Sequence, residues 1–173
     1  MKLLPVFVTF LLVTTGLAAP FLNSVGTKMT LQKKFLRTGF CQEFQCQVRP
    51  QIAFYLVFKL TNGIEIKLDT CCQHVGGLFV HLEPKVTLSK EKIRTLKALI
   101  RTATGQNLEF DVQKNCSSIA AIKQSKKLDF YLKPTKRLGV VTCVEDMTGI
   151  PAGQENTAPE FIPSYEFEIV LPV

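Results

Sequence analysis

Six cysteines carry the clearest chemistry in this chain: Cys41, Cys46, Cys71, Cys72, Cys116 and Cys143. An even number of cysteines, in a chain that begins with an export signal, predicts disulfide bonds. Structural zinc sites use cysteine pairs with spacings such as Cys-x2-Cys, and the sequence contains no such pair. We therefore predict three disulfides, with no metal ion and no cofactor.

The two histidines do not form a recognisable catalytic motif. The string Cys71-Cys72-Gln73-His74 resembles a few residues of the catalytic helix of the secreted phospholipases A2. Val75 stands where that family has the acidic partner of its histidine, and the family's glycine-rich calcium loop is absent upstream. A histidine without such a partner is not oriented as a general base. His81 alternates with apolar residues and is expected on the outer face of a strand. We predict no catalytic residues, so a small extracellular hydrolase is the least favoured function.

A basic helix is the best candidate for binding chemistry. Apolar residues recur at helical spacing between Ser89, a suitable N-cap, and Gly105, a suitable C-terminal stop. Four basic residues fall in one narrow stripe outside the apolar arc: Lys90, Arg94, Lys97 and Arg101. Such a stripe can bind a polyanion, or it can simply be the solvated outer face of a helix. A second basic region has the same two interpretations and comprises Lys123, Lys126, Lys127, Lys133, Lys136 and Arg137.

One modification signal is present. Asn115-Cys116-Ser117 is formally an acceptor sequence for N-glycosylation. Its middle residue is a cysteine that can be bridged before a glycan is transferred, so the sequence leaves the occupancy of Asn115 open.

Apolar and polar residues alternate with a period of two in several segments, which predicts half-buried strands. Such segments lie at 52–60, 64–68, 78–82, 108–112, 128–132, 138–144 and 165–171. The first two flank a three-residue loop that ends at Gly63, and this loop pairs Phe58 with Ile66, so one face stays apolar. We predict a mainly β protein, an antiparallel β-sandwich or barrel of about seven to eight strands with one amphipathic α-helix, stabilised by disulfides.

The same hairpin suggests a disulfide pattern. Neighbouring residues of a strand point to opposite faces, so Cys71 and Cys72 are expected to bridge to different partners. The nearest candidates are Cys41 and Cys46, and each is predicted to take one of the adjacent pair. This assignment leaves Cys116 to pair with Cys143.

The N-terminus has the features of a secretory signal peptide. Lys2 precedes an apolar run, and the small residues Gly16 and Ala18 precede the expected cleavage site. The run is shorter than the about 20 residues that a membrane span needs. We predict a signal peptide at 1–18, a flexible N-terminal segment at 19–40 and a single disulfide-stabilised β-rich domain at 41–173. The mature protein is expected to be secreted and extracellular, with no transmembrane segment.

The formal net charge of +7 at pH 7 is compatible with anionic partners. The leading expectation is a secreted, non-enzymatic binding or interaction protein, whose partner is an apolar small ligand or an extracellular protein. The alternative is a cationic host-defence protein that binds polyanions, such as an anionic glycan, or membrane surfaces through the basic helix. No nucleic-acid partner is expected.

Overall fold

The structure, a computed structural model, describes residues 19–82, 88–146 and 164–172. The elements in chain order are α1 Lys28–Leu36, α2 Gly39–Phe44, β1 Gln47–Val48, β2 Tyr55–Lys59, β3 Glu65–Asp69, β4 Gly77–Leu82, α3 Lys90–Thr104, α4 Val112–Cys116, α5 Ile119–Lys123, β5 Leu128–Leu132, β6 Arg137–Asp146 and β7 Ser164–Val170. A short 3₁₀ turn, Cys71–Gln73, lies between β3 and β4. The predicted signal peptide lies outside the described residues.

The seven strands form one antiparallel sheet in the order β1-β2-β3-β4-β7-β6-β5. The mainly antiparallel architecture is therefore confirmed. The prediction of a sandwich or barrel is wrong for the described strands, because they form a single open sheet with β1 and β5 at its edges. Helices, rather than a second sheet, pack on the apolar face, and there are more of them than the one amphipathic helix predicted.

The hairpin between β2 and β3 has the predicted register. Phe58 pairs with Ile66, and Leu56 pairs with Leu68. The amide of Leu60 donates to the carbonyl of Ile64 over 2.8 Å, so the loop contains three residues. Gly63 has a φ of 84°, a left-handed conformation in which a β-branched side chain is strained. The apolar alternation and this glycine agree on one register.

The core lies between the helices and one face of the sheet. Alternate strand residues point into it, and the largest are fully buried: Leu56, Phe58, Ile66, Leu68, Leu78, Tyr165 and Phe167. Phe35 of α1 contacts Phe58 with ring centroids 4.8 Å apart. Phe110 contacts Phe167 at 6.0 Å. Aromatic pairs at these distances contribute about 0.5–1.5 kcal/mol beyond the area they bury, so α1 and the loop before α4 are held firmly on the sheet.

Helix α3 begins and ends where the sequence predicts. The side chain of Ser89 accepts a hydrogen bond from the amide of Lys92, and Gly105 ends the helix in the left-handed conformation. The apolar arc faces the core, with Leu96 and Leu99 fully buried. Both ends and the buried face of α3 could be predicted because each depends on local sequence alone.

The segment 19–40 differs from the flexible segment that was predicted. The amides of Phe21 and Leu22 donate to the carbonyls of Thr102 and Ala103, which lie in the last turn of α3 and have no partner within the helix. Phe35 is fully buried. The lysines of this segment lie on its outer side. They make the sequence pattern look polar, although a few apolar side chains anchor the segment. Residues 19–40 are thus part of the core.

The predicted strand at 108–112 is also wrong. Asp111 caps α4, and its side chain accepts a hydrogen bond from the amide of Lys114. Phe110 and Val112 are buried, although they belong to a loop and a helix. Three apolar residues at alternate positions are too few to distinguish a strand from a buried turn of helix. A short helix, α5, follows α4.

Candidate functional site

The basic stripe of α3 is fully on the surface. Lys90, Arg94, Lys97 and Arg101 are all exposed, on the side of the helix opposite the buried leucines. Their spacing of three or four residues places neighbouring side chains about 5–6 Å apart at the Cβ atoms. This distance is below the Debye length of about 8 Å at physiological salt, so the four charges act on an anion together.

Arg94 contacts α2 through both an ion pair and an aromatic ring. Its guanidinium donates to the carboxylate of Glu43 on α2, and it lies over the ring of Phe44 at 5.8 Å from the centroid. The Arg94 and Glu43 side chains remain 70% and 44% exposed. An ion pair this exposed contributes little to stability, so the contact orients Arg94 without withdrawing its charge from solvent.

Two surface clefts adjoin the stripe. One of about 330 Å³ lies between α2 and α3, and its lining includes Arg101, Glu43 and Thr38. The other, of about 590 Å³, is lined by Lys97 together with Glu109 and Asp111. Both clefts combine charged residues with apolar ones, Phe40 and Ala98 in the first and Leu108 and Phe110 in the second.

The helices that cover the sheet form a basic layer. Helices α1, α2 and α3, here called the helical layer, contain eight Lys or Arg residues and two Glu residues. Two lysines of α1 hold neighbouring loops: Lys28 donates to the carbonyl of Ala53, and Lys34 to that of Val25. The outside of this layer is therefore predominantly positive.

The opposite face of the sheet, here called the open face, has a different character. Its partly exposed charged and aromatic residues include Tyr55, Glu65, Lys67, Asp69, Phe79, His81, Glu166 and Glu168. Lys67 and Glu166 form an ion pair of 3.9 Å. Partial burial and the carboxylates of Asp69 and Glu166 raise the pKa of Tyr55. His81 is exposed on this face, as predicted.

Two disulfides are present among the described residues. Cys116 pairs with Cys143, which confirms that part of the predicted pattern. Cys41 pairs with Cys46 instead of with the adjacent pair, so that part is wrong. The reason is local: α2 and its left-handed C-cap bring the Cα atoms of Cys41 and Cys46 to 4.9 Å. The geometry of this bridge is therefore determined by the six residues from Cys41 to Cys46 alone.

Cys71 and Cys72 remain thiols, and both are exposed. The strand β3 ends at Asp69, before the cysteines, so the hairpin register does not extend to them. Their sulfur atoms lie 3.0 Å apart, and Asp69 accepts a hydrogen bond from the amide of Cys71. The sequence-based interpretation missed this thiol pair because it assumed a continuous strand, and residues 70–74 contain no glycine or proline that would have indicated the turn.

His74 does not belong to a catalytic helix. It is extended, forms an isolated bridge to Val25, and places its Nδ1 atom 3.4 Å from the carbonyl of Cys72. Within the residues that the structure describes, no group of three or more His, Cys, Asp or Glu residues is arranged to hold a metal ion. The short phospholipase-like string therefore has no phospholipase-like geometry around it.

Asn115 lies in α4, one residue before a bridged and buried cysteine. Its side-chain amide donates to the carbonyl of Asp111 over 2.8 Å. The acceptor nitrogen of the sequon is thus hydrogen-bonded to its own helix, at the surface of the molecule.

No protein-family model, curated protein or solved structure matches this chain. Among the helices in the described part of the chain, none is both long and apolar enough to cross a membrane.

Proposed function

We propose that this protein is an exported, non-enzymatic binding protein that captures an anionic polymer, such as a sulfated glycan, on its helical layer. The observation that carries the proposal is the exposure of Lys90, Arg94, Lys97 and Arg101 along one line of α3. The line is about 16 Å long at 1.5 Å per residue, which suits an extended chain of charges better than a single small anion. The disulfides are compatible with export, since such bonds persist in oxidising compartments.

An apolar ligand in the interior has less support. The apolar side chains between the helical layer and the sheet form one buried cluster, in which Phe35, Phe58 and Phe167 are fully buried. The clefts beside α3 each contain charged residues, such as Arg101 in one and Lys97 in the other. Binding by charge on the outside therefore agrees better with this structure than binding by hydrophobic enclosure.

Heparin chromatography tests the proposal. Lys90, Arg94, Lys97 and Arg101 are replaced together by Gln, which keeps helix propensity close to that of the original residues. We expect elution at markedly lower salt and a smaller salt dependence, because fewer counterions are displaced. The free energy of unfolding should change little, since exposed substitutions usually matter by about 0.5 kcal/mol.

A matched control separates the stripe from net charge. Lys123, Lys126, Lys127 and Lys133 are also exposed, and changing all four to Gln removes the same charge from another region. The control should elute close to the unmodified protein. Equal shifts in both variants would reduce the effect to net charge, and unchanged elution of the stripe variant would refute the proposal. Retention on anionic lipid vesicles, but not on heparin, would point to a membrane surface as the partner instead.

A further inference from the structure

The exposed thiols of Cys71 and Cys72 form a site that the binding proposal does not use. Four of the six cysteines are bridged, and the remaining two are adjacent in sequence with sulfur atoms 3.0 Å apart. We propose that Cys71 and Cys72 form a redox-active dithiol, which low-molecular-weight disulfides oxidise to a vicinal disulfide and low-molecular-weight thiols reduce again.

The backbone of the turn already brings the two sulfur atoms together. Cys72 has a φ of 59° and Gln73 a φ of 63°, both left-handed conformations that are uncommon for residues other than glycine. The carboxylate of Asp69 fixes the start of the turn, because it accepts a hydrogen bond from the amide of Cys71 over 2.9 Å. A disulfide bond is about 2.0 Å long. Closure therefore requires the sulfur atoms to approach by only about 1 Å.

The exchange proceeds in two balanced steps. The thiolate of one cysteine attacks an external disulfide R–S–S–R, forms a mixed disulfide and releases one R–S⁻, which takes up a proton. The second cysteine loses its proton, attacks the first cysteine's sulfur and releases the other R–S⁻, which is also protonated. Two cysteine thiols are oxidised to one disulfide, and one external disulfide is reduced to two thiols.

The environment of Cys71 favours its thiol form. The hydrogen bond with Cys72 raises the pKa of the Cys71 thiol, and the nearby carboxylate of Asp69 acts in the same direction. Because the thiolate is the nucleophile, exchange at Cys71 should become faster as the pH rises.

The vicinal disulfide should be the most reducible in the molecule. Adjacent Cα atoms are held 3.8 Å apart by the peptide bond, below the usual range of about 4.4–6.8 Å for disulfides. The Cα separations of the other two bridges, 4.9 Å and 5.6 Å, lie within that range. Strain and exposure both favour reduction, so this bond should open while the others remain closed.

The turn is also connected to the helical layer. The carbonyl of Gln73 accepts a hydrogen bond from the amide of Gly26 over 2.9 Å, and His74 pairs with Val25, shortly before α1 begins. Closing the ring between Cys71 and Cys72 alters the backbone that carries the Gln73 carbonyl. Amide hydrogen exchange at Gly26 should therefore differ between the oxidised and reduced forms.

The experiment equilibrates the purified, folded protein with mixtures of reduced and oxidised glutathione, quenches with acid, alkylates free thiols and maps the peptides by mass spectrometry. We expect Cys71 and Cys72 to pass together from fully alkylated to fully bridged as oxidised glutathione increases. Cys41–Cys46 and Cys116–Cys143 should stay bridged throughout. Alkylation of both thiols in every mixture, or exchange of Cys71 with Cys41, would overturn the proposal.

Single substitutions provide the controls. Cys71→Ser and Cys72→Ser change exposed side chains and should fold normally, and neither can close the ring. Each single variant should accumulate a glutathione mixed disulfide at its remaining cysteine, in place of the internal bridge. A disulfide-linked dimer of the unmodified protein, in place of the bridged monomer, would show that the thiols serve contacts between copies and would refute the vicinal disulfide.

Discussion

The two faces of the sheet are built from the same strands and differ in almost every property. On the face that the helical layer covers, Phe58, Ile66 and Phe167 are fully buried. On the open face, the residues between them in the strands, such as Lys67, Phe79 and Glu168, remain partly exposed. Period-two alternation therefore separates stability from surface chemistry within each strand.

The two sides of the molecule also differ in charge. The outside of the helical layer is strongly basic, whereas the open face gathers four carboxylates: Glu65, Asp69, Glu166 and Glu168. The open face also carries Lys59 and Lys67, so its charges largely offset one another, and a polyanion would be attracted mainly to the helical side. The net charge of +7 therefore lies mostly on the helical side and elsewhere outside the open face.

The largest expected effect contrasts one phenylalanine from each face. Phe167→Ala removes a fully buried ring and should lower the free energy of unfolding by about 3–5 kcal/mol, because a cavity remains. Phe79→Ala removes a half-buried ring whose aromatic contact is Tyr55, with centroids 6.1 Å apart. It should cost about 1 kcal/mol. Urea denaturation of both variants measures the difference. Equal losses would show that something covers the open face as fully as the helices cover the other.

The parts of this fold that were predictable depend on local sequence. Gly63 and the alternation around it specified the β2–β3 hairpin, and Ser89 and Gly105 specified both ends of α3. The single open sheet was not predictable, because β4 pairs with β7, which lies more than eighty residues later in the chain. Periodicity defines a strand's faces but says nothing about which strand lies beside it.

The two candidate sites also differ in whether local sequence predicts them. The exposure of the basic stripe followed from helical spacing, because residues three or four apart share a face. The thiol pair did not follow, because its geometry depends on the left-handed backbone of Cys72, which alternation does not encode. The ion-pair partner of Arg94 could not be predicted either, because Glu43 is 51 residues away in sequence.

The buried tyrosine of the covered face predicts a change of intermediate size in the free energy of unfolding. Tyr165 lies on the covered face, fully buried, and its hydroxyl has no hydrogen-bond partner among the described residues. Tyr165→Phe removes a polar group that was desolvated without compensation, so we expect about 1 kcal/mol of added stability at neutral pH. Thermal or urea denaturation measures this change. A loss of stability would mean that the hydroxyl does have a partner.

Tyr165 and Tyr55 predict the alkaline limit of stability. Burial raises the pKa of Tyr165, and burial with two carboxylates raises that of Tyr55. Above pH about 10, the unfolded chain releases tyrosine protons that the folded chain retains, so the free energy of unfolding falls as the pH rises. Tyr165→Phe should make this fall shallower. Asp69→Asn should lower the pKa of Tyr55 and leave that of Tyr165 unchanged, which ultraviolet titration can follow.

The smallest expected effect concerns the outside of the helical layer, where Arg94 contacts Glu43 and Phe44. Arg94→Gln should cost about 0.5 kcal/mol of stability, whereas Lys97→Gln should cost less, because exposed ion pairs and cation–π contacts are weak. Glu43→Gln releases the Arg94 guanidinium and should raise the salt concentration at which the protein leaves heparin. Asp129→Asn makes the same charge change at an exposed position on β5 and should raise it less. Equal increases in these two variants would show that Glu43 acts only through net charge, and that Arg94 faces a polyanion as freely as its neighbours on the stripe.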